Sequence, residues 1–275
     1  MLLLFLLLSP IVVTSSTLPN AILSESDYDK IVVIPDTHGD LEAAILSVWL
    51  AYSKFVPIES QTSRNAFKDA INKAVKFWGK LTADQVEAKE RLPDTYRTIN
   101  LPEPPQKIAL IQLGDLVDRG PYSRECIDLF EIIEPVLGWT VLRLYGNHDV
   151  LTMMDDPLRY IHIHDLTSWN DGVAVSELSL APNPKRMKAF HKGGAYFQKY
   201  IQSFLGMAKW SSNRGSEINT LFVHAGISFD WFDKVRDLQI EGLVDVCDET
   251  RMEQDPNWIN NFNSAIRNYI DSPMN

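Results

Sequence analysis

Three apolar runs along the chain are each followed directly by a short polar segment. Their continuous apolar character is typical of strands that are buried on both faces. These runs are Lys30–Pro35, Lys107–Leu113 and Trp139–Tyr145. Apolar residues at helical spacing follow the first two runs, over Leu41–Tyr52 and Ser123–Leu137. Strand, loop and helix therefore alternate, which predicts an α/β fold with a mainly parallel sheet covered by helices.

A fourth short apolar run, Leu221–Val223, also ends at a polar motif. In sheets of this kind ligands bind beyond the carboxyl ends of the strands, so we expect all four motifs to converge on one edge of the sheet. The motifs are Asp36-Thr37-His38-Gly39-Asp40, Gly114-Asp115-Leu116-Val117-Asp118-Arg119-Gly120, Gly146-Asn147-His148-Asp149 and His224-Ala225-Gly226.

The motifs contain the residue types that bind a pair of metal ions. Asp36 and His38 are two positions apart, so both side chains project to the same side and can bind one cation. Asp115 has two carboxylate oxygens and can bridge two cations, as in two-metal phosphatases. Asn147 then offers an amide oxygen and His224 an imidazole to the second cation. Metals bridged in this way acidify a shared water, which becomes a hydroxide nucleophile at neutral pH.

The residues beside these ligands suit phosphate chemistry. His148 follows Asn147, so its side chain should point away from the metals and toward the leaving group, as a general acid would. Asp118 can accept the other ring N–H of His148 and fix its tautomer. Arg119 can donate two hydrogen bonds to phosphate oxygens, and Asn147 is a further candidate for substrate binding. The alternatives are a surface ion pair between Asp118 and Arg119, and a helix N-cap at Asn147 or Asp149.

Other features carry weaker signals. The glycines of the motifs would allow tight turns close to the substrate. His162 and His164 alternate as a metal-binding pair would, but they lie in a polar segment, which favours a solvated or packing role for them and also for His191. Cys126 and Cys247 allow one disulfide, although cysteines so far apart in sequence are more often buried thiols.

Two segments interrupt the alternation of strands and helices, and we interpret both as surface insertions near the site. Residues 53–105 contain an amphipathic stretch at Ala66–Trp78 and a charged stretch at Ala83–Arg91. Residues 155–184 are polar and contain three prolines. These segments either shape a substrate groove or cap the sheet.

Composition narrows the possible functions. The chain has 275 residues, of which 45% are hydrophobic and 23% charged, as in an ordinary globular protein. Its formal net charge of −10 argues against a nucleic-acid partner, because such a surface needs clustered Lys and Arg. The apolar stretch Leu2–Val13 precedes small residues at 14–16 and is too short to span a bilayer. It predicts a cleaved signal peptide at residues 1–16 and a secretory or extracellular protein, and the alternative is an N-terminal membrane anchor.

On these motifs the chain resembles the calcineurin-like metallophosphoesterases of the phosphoprotein phosphatase superfamily. The resemblance runs from Lys30 to about Phe232, and Leu221–Ile227 is most similar to the Shewanella-like, bacterial-like branch. It implies a β-sandwich flanked by helices and two metal ions, which would be manganese, iron or zinc. It also implies a role for each motif residue: one metal on Asp36, His38 and Asp115, the other on Asp115, Asn147 and His224, an acid pair of His148 and Asp118, and a phosphate contact from Arg119.

The chain departs from the family pattern at three places. Pro35 stands where the family usually has glycine, and Asp149 where glutamate is common. No histidine follows His224, although the family carries a final histidine ligand well beyond that motif. The sequence therefore predicts a phosphoesterase domain over residues 28–275 that is truncated at its C-terminus and lacks its last strands.

Three functions are consistent with these features. The leading hypothesis is a metal-dependent hydrolase of phosphomonoesters, with phosphorylated proteins as the expected substrates. The alternatives are a non-catalytic or fragmentary phosphatase homologue and a hydrolase of small phosphate anhydrides. The sequence contains no glycine-rich nucleotide-binding loop, which argues against a kinase or an NTPase.

Overall fold

The computed structural model describes residues 18–56, 63–79, 101, 106–153, 184–212, 218–224 and 255–271. Its strands are β1 (Ile22–Ser24), β2 (Lys30–Ile34), β3 (Ile108–Gln112), β4 (Thr140–Leu144), β5 (Phe204–Leu205), β6 (Ala208–Ser212) and β7 (Ile218–Phe222). Its helices are α1 (Leu41–Phe55), α2 (Arg64–Trp78), α3 (Ser123–Leu137), α4 (Asn147–Met153), α5 (Pro184–Phe190), α6 (Ala195–Ser203) and α7 (Trp258–Asp271).

The main sheet has four parallel strands in the order β2-β3-β4-β5. The first three are the apolar runs identified in the sequence, and their register places Ile34 opposite Gln112 and Gln112 opposite Arg143. The strands therefore end at nearly the same level. This arrangement confirms the predicted α/β fold with a parallel sheet, and it brings the three loops that follow β2, β3 and β4 to one edge.

The fourth predicted strand belongs to a different sheet. β7 pairs antiparallel with β6, and β6 pairs parallel with β1 in a second sheet of order β1-β6-β7. The expectation that this strand continues the parallel pattern was therefore wrong. Only five residues separate β6 from β7, which is enough for a hairpin but not for the crossover that a parallel pair requires.

Two hydrophobic cores lie on opposite faces of the main sheet. The larger core packs the sheet against α1, α2, α3, α5 and α6, with Tyr52, Phe67, Phe130 and Tyr200 among its fully buried side chains. The smaller core lies between the two sheets and α7, and its buried members include Ile111, Leu144, Met207 and Phe262. The result is two facing sheets with helices outside, which matches the predicted β-sandwich flanked by helices.

Helix boundaries follow from local capping. Asp40 accepts a hydrogen bond from the Ala43 amide at 2.9 Å and caps α1. Gly138 ends α3 in the left-handed conformation that glycine tolerates. Helix α2 lies within the predicted insertion 53–105, and it packs against α1 and α3 through Phe67 and Ile71, which are fully buried. This part of the segment therefore contributes to the core.

Several predictions concern residues outside the described ranges. These are the signal peptide at residues 1–16, the charged stretch Ala83–Arg91, residues 155–183, the pair His162 and His164, and Cys247 as a disulfide partner. Cys126 is buried in α3. None of the described helices is long and apolar enough to cross a membrane.

A buried group of charges joins α3 to α6 beneath the sheet. Lys199 contacts Asp128 at 2.6 Å and Glu131 at 2.9 Å, and Asp128 also accepts a hydrogen bond from the Tyr196 hydroxyl at 2.9 Å. Burial raises the pKa of Asp128, although Lys199 opposes that rise. Burial by itself would lower the pKa of Lys199, but the two carboxylates outweigh it and raise that pKa above its ordinary value. Lys199 therefore stays charged and balances two buried carboxylates.

Replacing Lys199 with Met should destabilise the protein by about 3–5 kcal/mol, because Asp128 would then be buried without a cation, whereas Glu131 keeps Arg143 at 3.4 Å. The folded-state pKa of Asp128, which burial already raises to about 6, should rise further, so the folded variant would bind more protons than its unfolded chain. Stability of the variant should then fall as pH rises, and its deficit relative to wild type should be larger at pH 8 than at pH 5. Urea unfolding at both pH values measures this difference. Lys188→Met, at an exposed position of α5, is the matched control and should unfold as wild type does.

Candidate active site

The candidate site lies at the carboxyl edge of the main sheet. The loop after β2 carries Asp36 and His38, the loop after β3 carries Asp115, Asp118 and Arg119, and α4 begins with Asn147 and His148 directly after β4. From the second sheet, the chain after β7 brings His224 to the same place, and its Nε2 lies 3.1 Å from Asn147 Oδ1. All eight residues that the sequence singles out for this site are therefore brought together.

Backbone hydrogen bonds join the loop after β2 to the loop after β3. The amides of Thr37 and His38 both donate to the Asp115 carbonyl, at 3.2 and 2.8 Å, and the Gly120 amide donates to the His38 carbonyl at 2.7 Å. A Cβ on Gly120 would overlap the backbone of His38 and Gly39. The sequence predicted that these glycines allow tight turns close to the substrate, and the structure shows that Gly120 also makes room for the neighbouring loop.

Four non-glycine residues in the described part of the chain have positive φ, and all four lie in these two loops. They are His38 (44°), Asp115 (52°), Asp118 (69°) and Arg119 (63°). This conformation costs energy for a residue with a Cβ, and it persists only where surrounding contacts impose it. Here the network of backbone hydrogen bonds between the two loops holds the residues in this conformation. The strain falls on residues whose side chains must point into the site.

The carboxylate of Asp149 fixes the loop after β3 to the loop after β4. Its two oxygens accept hydrogen bonds from the amides of Gly146 (2.9 Å), Asp115 (2.7 Å) and Leu116 (3.1 Å), and from the Tyr200 hydroxyl (2.8 Å). Burial raises the pKa of Asp149 to about 7, while the donors at Gly146 and Tyr200 oppose that rise. Burial also raises the pKa of Tyr200 well above its ordinary value, so its hydroxyl remains a donor.

Carboxylate oxygens and imidazole nitrogens that could bind a metal ion lie together at the centre of the site. Asp115 Oδ2 lies 3.5 Å from His38 Nε2 and 3.4 Å from His224 Nε2. Asp36 flanks both histidines, with Oδ2 at 3.8 Å from His38 Nε2 and Oδ1 at 3.5 Å from His224 Nδ1. Ligand atoms of Asp36, Asp115 and His224 lie within 4.8 Å of one another, which is close enough to hold a cation.

The orientation of both histidines fits metal ligation. His38 Nδ1 lies 3.2 Å from the Val117 carbonyl, and His224 Nδ1 lies 2.9 Å from the Leu113 carbonyl. A carbonyl can only accept, so each ring carries its hydrogen on Nδ1 and turns Nε2 toward Asp115. Histidines that bind metals are usually held in this way by a backbone carbonyl. Carboxylate oxygens, an amide oxygen and imidazole nitrogens without cysteine form a donor set that suits manganese, iron or zinc.

His148 and Asp118 form a buried pair beside this cluster. His148 Nδ1 lies 2.8 Å from Asp118 Oδ2, and the His148 amide donates to Asp115 Oδ1 at 2.9 Å. The other ring nitrogen, Nε2, faces Arg119 Nη2 at 3.1 Å. A carboxylate accepts and a guanidinium donates, which places the imidazole hydrogen on Nδ1 and leaves Nε2 as the acceptor. A second grouping of possible metal ligands combines His148 with His38 and Asp115, so the geometry allows two roles for His148.

Arg186 is a site residue that the sequence analysis missed. Its Nη2 donates to Asp118 Oδ1 at 2.5 Å and to Thr152 Oγ1 at 3.3 Å, and its guanidinium lies 5.5 Å from the centre of the Phe190 ring. Arg186 is 6% exposed and Asp118 is fully buried. No motif marks Arg186, since it is a single arginine on α5 just beyond the polar segment 155–184. Its position could not be inferred without the fold.

The structure also bears on the alternative, non-catalytic roles that the sequence allowed for single residues. Asp118 pairs with Arg186, whereas Arg119 is exposed and contacts His148, so the geometry does not place Asp118 and Arg119 in an ion pair with each other. Asn147 is the first residue of α4, and Asp149 lies in its first turn. Neither residue therefore occupies the position before the helix at which an N-cap residue lies. His191 is exposed, its Nδ1 contacts the Lys192 carbonyl, and it belongs to neither group of possible metal ligands among the described residues.

Comparisons with known proteins give one curated relative and several solved structures. An uncharacterized protein of Schizosaccharomyces pombe is 28% identical over 127 residues, which are 44% of this chain and 33% of that protein. The chain thus spans about a third of that relative's length. The cold-active protein tyrosine phosphatase of a psychrophilic Shewanella species is 15% identical, with a TM-score of 0.43 over 94% of this chain and 62% of that one. The phosphatase domain of the Legionella effector WipB is also 15% identical, with a TM-score of 0.44 over 88% of this chain and 81% of that one.

The family assignment rests on a family model. The model for calcineurin-like phosphoesterases matches residues 29–269, which extend from the start of β2 into α7 and include every residue of the site described above. Since this match covers more than half of the chain, the protein belongs to the calcineurin-like phosphoesterase family.

Proposed function

We propose that this protein is a metal-dependent hydrolase of phosphomonoesters, with phosphorylated proteins as its physiological substrates. One observation carries the proposal: five potential metal ligands converge beside a buried His–Asp pair and an exposed arginine. The ligands are Asp36, His38, Asp115, Asn147 and His224, with Asp115 at the centre. A metal pair bound there would neutralise phosphate charge and supply a water acidic enough to act as a nucleophile.

Each of the other residues has a task that its contacts support. Arg119 is exposed at the rim and would bind the phosphate oxygens, for which its planar guanidinium is suited. When Arg119 moves from His148 to the phosphate, His148 Nε2 is released and can take up a proton from water. The imidazolium formed in this way then donates that proton to the leaving oxygen and returns to the neutral ring with its hydrogen on Nδ1. Asp118 holds the other ring nitrogen at 2.8 Å, so Nε2 keeps its direction during the transfer.

The cellular location is a further proposal, supported by the apolar stretch at Leu2–Val13 and the small residues that follow it. We propose that the chain enters the secretory pathway and acts on substrates outside the cytosol. Sequencing the N-terminus of protein expressed with its native start decides the point, since an intact Met1 on a cytosolic product would contradict it.

Replacing Asp115 with Asn should abolish most hydrolysis of 4-nitrophenyl phosphate and remove at least one bound metal. The amide keeps the oxygen that accepts from the His148 backbone, but it loses the charge that faces both histidines. Loss of a residue that merely supports a ligand costs about 10–100-fold in metal affinity, and loss of a ligand should cost at least as much. Metal analysis and steady-state kinetics measure both effects.

Asp40→Asn is the matched control for this variant. It removes the same charge from the neighbouring motif but keeps an acceptor for the Ala43 amide, so α1 stays capped. Activity and metal content should stay at wild-type levels. Full turnover by Asp115→Asn with both metals bound would overturn the proposal, and an inactive wild-type protein that binds metal would favour a non-catalytic homologue.

Replacing His148 with Ala should slow phenyl phosphate by about 10²–10⁴-fold and 2,4-dinitrophenyl phosphate much less, because a good leaving group needs no proton. Metal content should hardly change. A loss of metal would instead assign His148 to the ligand group that it forms with His38 and Asp115. His191→Ala, at an exposed histidine outside the site, is the control and should behave as wild type.

A further inference from the structure

Asp118 is placed where its charge needs a partner. It is fully buried, and one of its oxygens faces the imidazole of His148. A buried carboxylate is costly unless a charge balances it and hydrogen bonds satisfy its lone pairs. A neutral imidazole satisfies one oxygen only. The backbone amide of Asp118 does not bond this carboxylate, because it donates to Ser123 Oγ at 3.0 Å. The backbone of Asp118 is also strained, with a φ of 69°.

Arg186 provides the missing charge on the other oxygen. Its guanidinium carries a permanent positive charge and donates to Asp118 Oδ1 at 2.5 Å. With Oδ1 held there, the carboxylate plane is fixed and Oδ2 is directed at His148 Nδ1. The contacts therefore run from Arg186 to Asp118 and from Asp118 to His148.

Arg186 is in turn held by two different helices. Its own helix α5 provides the Phe190 ring, and Thr152 belongs to α4, the helix that begins with Asn147 and His148. One side chain thus joins α4, α5 and the loop after β3. A shift of α5 would move Asp118 relative to His148, so the alignment of the acid depends on how α5 packs.

We propose that Arg186 is a positioning residue for the proposed reaction: it fixes the orientation of the Asp118 carboxylate, so that Oδ2 holds the His148 ring by Nδ1 and Nε2 is directed to the leaving oxygen. The inference rests on the proposed phosphoesterase function. Arg186 does not touch the substrate, and its effect passes through Asp118. It should therefore affect the transfer of the proton and leave substrate binding and metal content unchanged.

The first experiment compares two substrates in the metal-loaded protein. Arg186→Gln should lower kcat for phenyl phosphate by about 10-fold or more, within the range of a weakened general acid, and kcat for 2,4-dinitrophenyl phosphate by less than about 2-fold. KM for both substrates and the metal content should match wild type. Arg186→Lys keeps a charge but not the planar geometry, so it should recover part of the loss.

Two further variants separate positioning from a general structural effect. In an Asp118→Asn background, Arg186→Gln should cause little additional loss, because both changes break the same chain of contacts. Lys188→Met changes an exposed residue of the same helix, α5, and leaves the Arg186–Asp118 contact in place, so it should stay near wild type. Equal losses on both substrates, additive losses in the double variant, or a raised KM at unchanged kcat would each overturn the proposal. A raised KM would identify Arg186 as a phosphate contact.

A measurement that needs no turnover keeps the two proposals distinguishable. Nitrogen-15 spectra of the zinc-loaded, diamagnetic protein report which nitrogen of His148 carries its hydrogen. Wild type should show the hydrogen on Nδ1, and Arg186→Gln, or Arg186→Lys if the glutamine variant does not fold, should show a mixture of both forms. An unchanged spectrum would refute the role of Arg186 even if the enzyme is active. An inactive wild-type protein with the expected change would refute only the proposed activity.

Discussion

The position of Asp115 relative to Asn147 and His148 depends on one buried carboxylate, that of Asp149. It accepts three backbone hydrogen bonds from two loops and a fourth from Tyr200 on α6. Each of these amides would be costly to bury without an acceptor, so the two loops cannot separate without losing several hydrogen bonds at once. The residues that follow β3 and β4 are therefore held as a single unit, although 34 positions separate Asp149 from Asp115.

That unit sustains the strain found in the loops. Positive φ at Asp115 and Asp118 accompanies side chains that point inward, toward the candidate metal ligands and toward His148. Close contact between loops makes this possible, since a Cβ on Gly146 would overlap the Asp115 carboxylate. These glycines thus allow one loop to pack closely on the next. Strain, close packing and a shared acceptor are three aspects of the same pre-organised site.

Charge is distributed unevenly through the molecule in a way that serves the chemistry. The chain is acidic overall, with a net charge of −10, yet two arginines stand on either side of the His148–Asp118 pair. Arg119 is exposed, and in the proposed function it exchanges its contact with His148 for a phosphate. Arg186 is buried and bound to Asp118, so its charge is committed to the protein. The two arginines therefore differ in their proposed tasks because they differ in burial: the exposed Arg119 is accessible to substrate, and the buried Arg186 contacts Asp118.

The sequence by itself determined three of the four strands of the main sheet, the helices that follow two of them, and all eight residues of the predicted site. Continuous apolar runs and local motifs are sufficient for this, because parallel strands align their carboxyl ends. It did not determine the sheet to which β7 belongs, the task of Asp149 as a shared acceptor, or the presence of Arg186. These depend on pairings between distant segments, such as the 68 positions between Asp118 and Arg186. Such contacts leave no periodic or local pattern in the chain, so only the packed tertiary structure decides them.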